Sequence, residues 1–221
     1  DGAQALESCK QYGTLVPGIG HALHMPGHIY AGLGMYHEAA ISLDSATRAE
    51  IAYMSRRMVF PYNTWNYAHN RNYLSYVQEQ LGLPSEAIRG ARELLAVPLD
   101  PKLNDATRFS PHWQGVAALT RALIKFERWD DILAPGSIPW GTSVRDRLGR
   151  GYAEALAKLE KADPSADLAI ASFSDLKREI EKPENSSYKL QFEVQLLELQ
   201  GTYALKNGDA IKGLMLLTEA A

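Results

Sequence analysis

A short turn residue that ends one helical stretch and opens the next, followed by spaced alanines, recurs along this chain and constrains its fold more than any other feature. The clearest copy is His28-Ile29-Tyr30-Ala31-Gly32-Leu33-Gly34-Met35-Tyr36-His37-Glu38-Ala39-Ala40. One helix ends at Gly34, and the next starts at once with Ala39, Leu43 and Ala46 on a single face. Glycine supplies the left-handed turn, and the alanines let the two helices approach closely. Residues 73–94 repeat the design, with Gly82 as the turn and Ala87 and Ala91 behind it. A third copy, Ala122-Leu123-Ile124-Lys125-Phe126-Glu127-Arg128-Trp129-Asp130-Asp131, turns at Glu127, and Pro135 and Gly136 cut its second helix short. A fourth joins residues 152–161 through Ala162 to a helix after Asp163-Pro164, an N-cap followed by a first-turn proline, and Lys182-Pro183 closes it. The fifth, Gly201-Thr202-Tyr203-Ala204-Leu205-Lys206-Asn207-Gly208-Asp209-Ala210, turns at Gly208. The sequence holds no alternating strand pattern of any length, so it predicts an all-α fold.

A tyrosine, a turn glycine and two spaced alanines, specific in the first, second and fifth units, resemble the marks of the tetratricopeptide repeat. That resemblance implies a tetratricopeptide-like α-α repeat array, a right-handed superhelix of antiparallel helix pairs spanning residues 1–221 as one helical-repeat domain. The turns are spaced more widely than the usual period of about 34 residues. Gly34 to Gly82 is 48 residues and Gly82 to Glu127 is 45, which predicts longer helices and a less regular stack. A narrower resemblance begins at Pro17-Gly18-Ile19-Gly20-His21-Ala22-Leu23-His24-Met25-Pro26-Gly27-His28-Ile29-Tyr30. It is similar to a group of bacterial tetratricopeptide proteins with a His-Ala-Leu-His-Met-Pro-Ser-His-Ile stretch followed by a Leu-Gly turn. Here Gly27 stands where that group has serine. The resemblance implies a fold and no activity.

Composition narrows the classes of function. With Lys+Arg 23 against Asp+Glu 26 the formal net charge is −3, and no basic stripe marks a nucleic-acid footprint. No apolar run reaches the roughly 18 residues that span a bilayer, and no signal-type segment is present, so the chain reads as soluble with its compartment open. The one cysteine, Cys9, cannot form an intramolecular disulfide and reads as a small buried or half-buried residue. The chain opens at Asp1 and stops at Glu219-Ala220-Ala221 within a helical pattern, so it reads as a processed product or a fragment of a longer protein.

The chemistry concentrates on one stripe. His21, His24 and His28 lie 13, 10 and 6 residues before Gly34, while His69, Asn72 and Tyr76 lie at the same distances before Gly82. Gln114, Ala117 and Arg121 hold those places before Glu127. Steps of three and four put each trio on one side of a helix. The tetratricopeptide resemblance implies that these positions line a concave groove, which gathers four of the six histidines on one wall.

Two uses fit that wall. In the leading one, the groove is a binding module that recognises a peptide, a partner protein or a small anionic ligand through His21, His24, His28, His69, Asn72, Tyr76 and Arg121. The alternative is a metalloprotein, an enzyme among its forms, in which His24, His28 and His69 hold a transition-metal ion (Zn, Cu, Fe or Ni), with His21 as a fourth ligand. Glu79 on the following turn is the nearest acidic candidate. Pro26 leaves two courses for the first helix: it kinks there, or it begins there and points its amides at the histidines as an anion cradle.

The remaining features read as structure. Gly18 and Gly20 are turn residues, residues 177–182 form a solvated charged face, His37 is exposed, and His112 caps a helix after Pro111. Two aromatic insertions, residues 56–66 and 135–144, pack over helix ends or wall a ligand site.

Overall fold

A computed structural model describes residues 2–98 and 110–221, and among them every regular element is helical. The chain divides into two compact units, Asp1–Phe126 and Glu127–Ala221.

The first unit holds α1 (Gly2–Leu15), α2 (Gly20–Gly32), α3 (Tyr36–Arg57), α4 (Trp65–Gln80), α5 (Pro84–Leu95) and α6 (Pro111–Lys125). Each packs on its neighbour in the chain from α1 to α6, and α4 also touches α2 and α6. These cross-contacts join one helix pair to the next. The second unit holds α7 (Trp129–Leu133), α8 (Val144–Glu160), α9 (Ala166–Ser174), α10 (Lys177–Ile180), α11 (Lys189–Lys206) and α12 (Ala210–Ala220). There α8 packs on α7, α9 and α11, and α11 packs on α12.

All five anticipated turn residues have a left-handed backbone: Gly34 at φ +76°, Gly82 at +70°, Glu127 at +52°, Ala162 at +53° and Gly208 at +85°. Four of the turns close with the same pair of bonds. Gly34 N donates to Ala31 O at 3.1 Å and Met35 N to Tyr30 O at 2.8 Å, and the pattern recurs around Gly82, Ala162 and Gly208. The paired bonds satisfy carbonyls that a helix end otherwise leaves without partners. Met58, at φ +56°, ends α3 in the same conformation without a glycine to announce it.

Small residues set the spacing within the first unit. Ala39, Leu43, Ala46, Ala87 and Ala91 are fully buried. Leu43 and Leu74 join Ala31, Ala39 and Val77 in a core over which Tyr30, Tyr36, Tyr73 and Tyr76 pack. Each such leucine contributes about 1.5–3 kcal/mol by leaving water. At Gly27 a Cβ would lie 2.9 Å from Leu43 Cγ, so the glycine is what lets α2 and α3 meet there.

Several local expectations shift. Pro26 lies inside an unbroken α2, so the helix does not begin there and the anion cradle built on that course falls. The lost hydrogen bond is outweighed by packing against α1, α3 and α4. Ser110, not His112, caps α6, its side chain accepting from Trp113 N at 3.1 Å. The helix before Ala162 begins at Val144 rather than Tyr152, started by a Ser143–Asp146 capping box. Asp163 lies two residues before the cap position: its Oδ1 accepts from Ser165 N at 2.8 Å, and Ser165 precedes α9.

Candidate metal centre

Helix periodicity places His21, His24 and His28 on one side of α2, and the contact between α2 and α4 brings His69 against them. The rings meet edge to face: His21–His24 centroids lie 4.6 Å apart, His24–His28 5.1 Å, and His24–His69 5.3 Å. Nε2 of His28 and Nε2 of His69 are 3.4 Å apart. One ring nitrogen from each of His24, His28 and His69 falls within 4.8 Å of the others, and this is the set that could hold an ion among the described residues. His21 touches His24 but stays outside it, on the exposed side.

Burial and mutual repulsion disfavour the charged forms of His24, His28 and His69. Burial, then the neighbouring His28, His69 and His21, pushes His24 down to about 4. His28 is lowered by burial and His21, and His69 by burial followed by His28 and His21. A neutral ring keeps a lone pair for a metal, so protons compete little with an ion at pH 7. Two nitrogens bound tetrahedrally at about 2.0–2.1 Å stand about 3.3 Å apart, close to the His28–His69 separation. The other pairs would have to close by at most about 1.5 Å, within reach of side-chain rotation.

Aromatic rings wall the cluster. Trp65, from the first aromatic insertion, stands 6.0 Å from His21 and 5.8 Å from His69. Tyr73 lies 4.6 Å from His28 and stacks on Tyr76 at 5.6 Å. Phe60 and Tyr62 of the same insertion stack on each other at 5.4 Å, next to the 3-10 turn Pro61–Asn63.

The rest of the stripe engages itself. Asn72 donates through Nδ2 to Gln114 Oε1. Arg121 Nε donates to Glu79 Oε1 at 3.0 Å and Oε2 at 2.8 Å, and Nη1 donates to Asn72 Oδ1 at 3.1 Å. The same guanidinium sits 5.6 Å over Tyr76. Glu79 is therefore the arginine's counter-charge, not a ligand beside the histidines. Burial raises its carboxyl, with Arg121 as the main opposing influence.

The offsets pointed to the stripe but not to two buried polar groups around it. Glu50 of α3 is buried against the start of α2, where a Cβ on Gly20 would collide with Glu50 Oε1. Gly20 is thus a close-approach residue rather than a turn. Burial raises the Glu50 carboxyl, offset by Asn66 and His21. Asn70 follows His69 and is 0% exposed beside His24. Neither was visible in sequence, because both lie off the repeat register and only packing reveals their burial.

No protein-family model, curated protein or solved structure matches the chain.

Proposed function

We propose that this chain is a metal-binding helical-repeat protein in which His24, His28 and His69 together take one late first-row transition-metal ion. The scaffold we read as tetratricopeptide-like, since the same turn, the same close-packed alanines and the same cross-pair register recur in the first unit. The register supports this directly: His24 faces His69 and Asn72 faces Gln114, in each case the position 10 before one turn against the position 13 before the next. The single observation that carries the metal reading is the 3.4 Å approach of two imidazole nitrogens beside a third, buried histidine.

Three imidazoles without a thiolate or carboxylate suit zinc, copper, nickel or iron better than magnesium or calcium. Three protein ligands also leave a coordination position for a water, a small anion or a side chain from a partner. The binding-module reading asks Asn72, Tyr76 and Arg121 to meet a ligand directly. Those groups already meet one another and Glu79, which favours the metal reading.

The test is uptake by metal-stripped protein. Zinc or cobalt(II) should bind at one equivalent, read by elemental analysis after gel filtration. His28→Ala and His69→Ala should each abolish stoichiometric uptake, while His21→Ala should leave it. Wild-type protein that emerges metal-free under these conditions would refute the proposal.

A further inference from the structure

Buried polar atoms in folded proteins almost always have hydrogen-bond partners, and each exception asks for an explanation. One such group adjoins the histidines. Nδ1 of His24 is buried without a partner, and so are both side-chain atoms of Asn70, Nδ2 and Oδ1. His24 is 2% exposed and Asn70 fully buried, so solvent does not serve them. Asn70 lies close enough to His24 for its side chain to favour the imidazole's charged form, although no hydrogen bond of full geometry joins them. Asn70 is also the residue after His69, so one stretch of α4 contributes a ligand to the cluster and an amide behind it.

This arrangement has a chemical use. An imidazole that binds a metal through one nitrogen carries its proton on the other, and that N–H needs an acceptor to fix the tautomer and the ring angle. His28 and His69 approach each other through Nε2. His24 presenting Nε2 likewise would turn Nδ1–H away from the ion, towards the interior where the unpartnered amide lies.

We propose that Asn70 is the positioning residue of this centre, its Oδ1 accepting the Nδ1–H of His24 and so holding Nε2 towards the ion. The inference rests on the metal-centre reading and deepens it. It accounts for a buried asparagine in the packed face of α4: the hydrogen bond closes fully when the ring turns to its ligating pose. An amide suits this better than a carboxylate for the unloaded protein, because it accepts the imidazole proton without burying a charge.

The experiment compares zinc affinity, by competition with a chromophoric chelator, in the wild type, Asn70→Leu and Asn70→Asp. Asn70→Leu keeps the branched outline, adds some bulk and removes the acceptor, and should weaken zinc binding about 10–100-fold. Asn70→Asp keeps an acceptor and should bind zinc at least as tightly as the wild type. A long-range 1H–15N spectrum of the zinc-loaded wild type should show His24 protonated at Nδ1 and bound through Nε2. A merely structural asparagine would give two equally impaired variants, or none impaired, and either result overturns the inference. Zinc on Nδ1 of His24 overturns it as well. If Asn70→Leu fails to fold by circular dichroism, Asn70→Asp and the spectrum decide between the same outcomes. Wild-type protein that takes up no zinc sinks the metal centre itself, whereas normal uptake indifferent to Asn70 sinks this inference alone.

Discussion

Arg121→Met should destabilise the first unit in a way that depends on pH, because it strands a buried carboxylate. The Glu79 side chain is 1% exposed, and Arg121, at 36%, is its direct ion-pair partner at 2.8 Å. Breaking such a pair from one side costs about 3–5 kcal/mol, and the partial exposure of the arginine places this case at about 3. Burial already holds the Glu79 carboxyl above its ordinary value despite Arg121, and losing the arginine drives it higher. A carboxyl raised by folding binds its proton more tightly in the folded chain. Its favourable contribution is complete below the unfolded value, near 4.5, and is lost as pH rises through the folded one. The penalty of Arg121→Met should therefore be full at pH 7.5 and smaller at pH 5, recovering up to about 1.4 kcal/mol per pH unit where Glu79 titrates. Urea titrations followed by helix circular dichroism at both pH values read this directly. Adding Glu79→Gln should restore much of the loss, since a neutral amide needs no counter-charge. An equal penalty at both pH values, or a double variant no better than Arg121→Met, would show that the pair does not act as described.

Other consequences are simpler to read. His24, held neutral down to about 4 against an ordinary 6.5, is protonated first in the unfolded chain. Its contribution is thus complete above about pH 6.5 and lost as pH falls towards 4, by about 3 kcal/mol, so His24→Gln should flatten stability across that window. Ala39→Leu, at a fully buried contact of α2 with α3, should cost about 1–3 kcal/mol by overpacking, and an unchanged thermal melt would place the repeat frame wrongly. Gly34→Val should also lower the melting temperature, because a β-branched residue resists φ +76° even where space is open.

What the sequence made legible was local. A left-handed turn needs a particular backbone, and a close helix contact needs a small side chain, so Gly34, Gly82, Gly208 and the alanines behind the first two announce themselves. Glu127 and Ala162 followed from the pattern around them rather than from their own chemistry. Met58 has no such support in the sequence. Pro26 left the start of α2 open, because the local rule against proline in a helix takes no account of three helices packed on α2. The histidine stripe was readable from offsets alone, since register is a one-dimensional property. That Arg121 would spend its charge on Glu79, and that Glu50 and Asn70 would be buried, depends on what lies across each helix contact.

His28 and His69 are 41 residues apart in the chain. An ion held between them would close that length of polypeptide as a covalent cross-link does. By loop-closure entropy such a clasp is equivalent to about 4 kcal/mol taken from the freedom of the unfolded chain. With Cys9 as its one cysteine, this chain has no internal disulfide to do the same. The centre would then be a removable staple across the first two helix pairs, making their stiffness a function of metal supply.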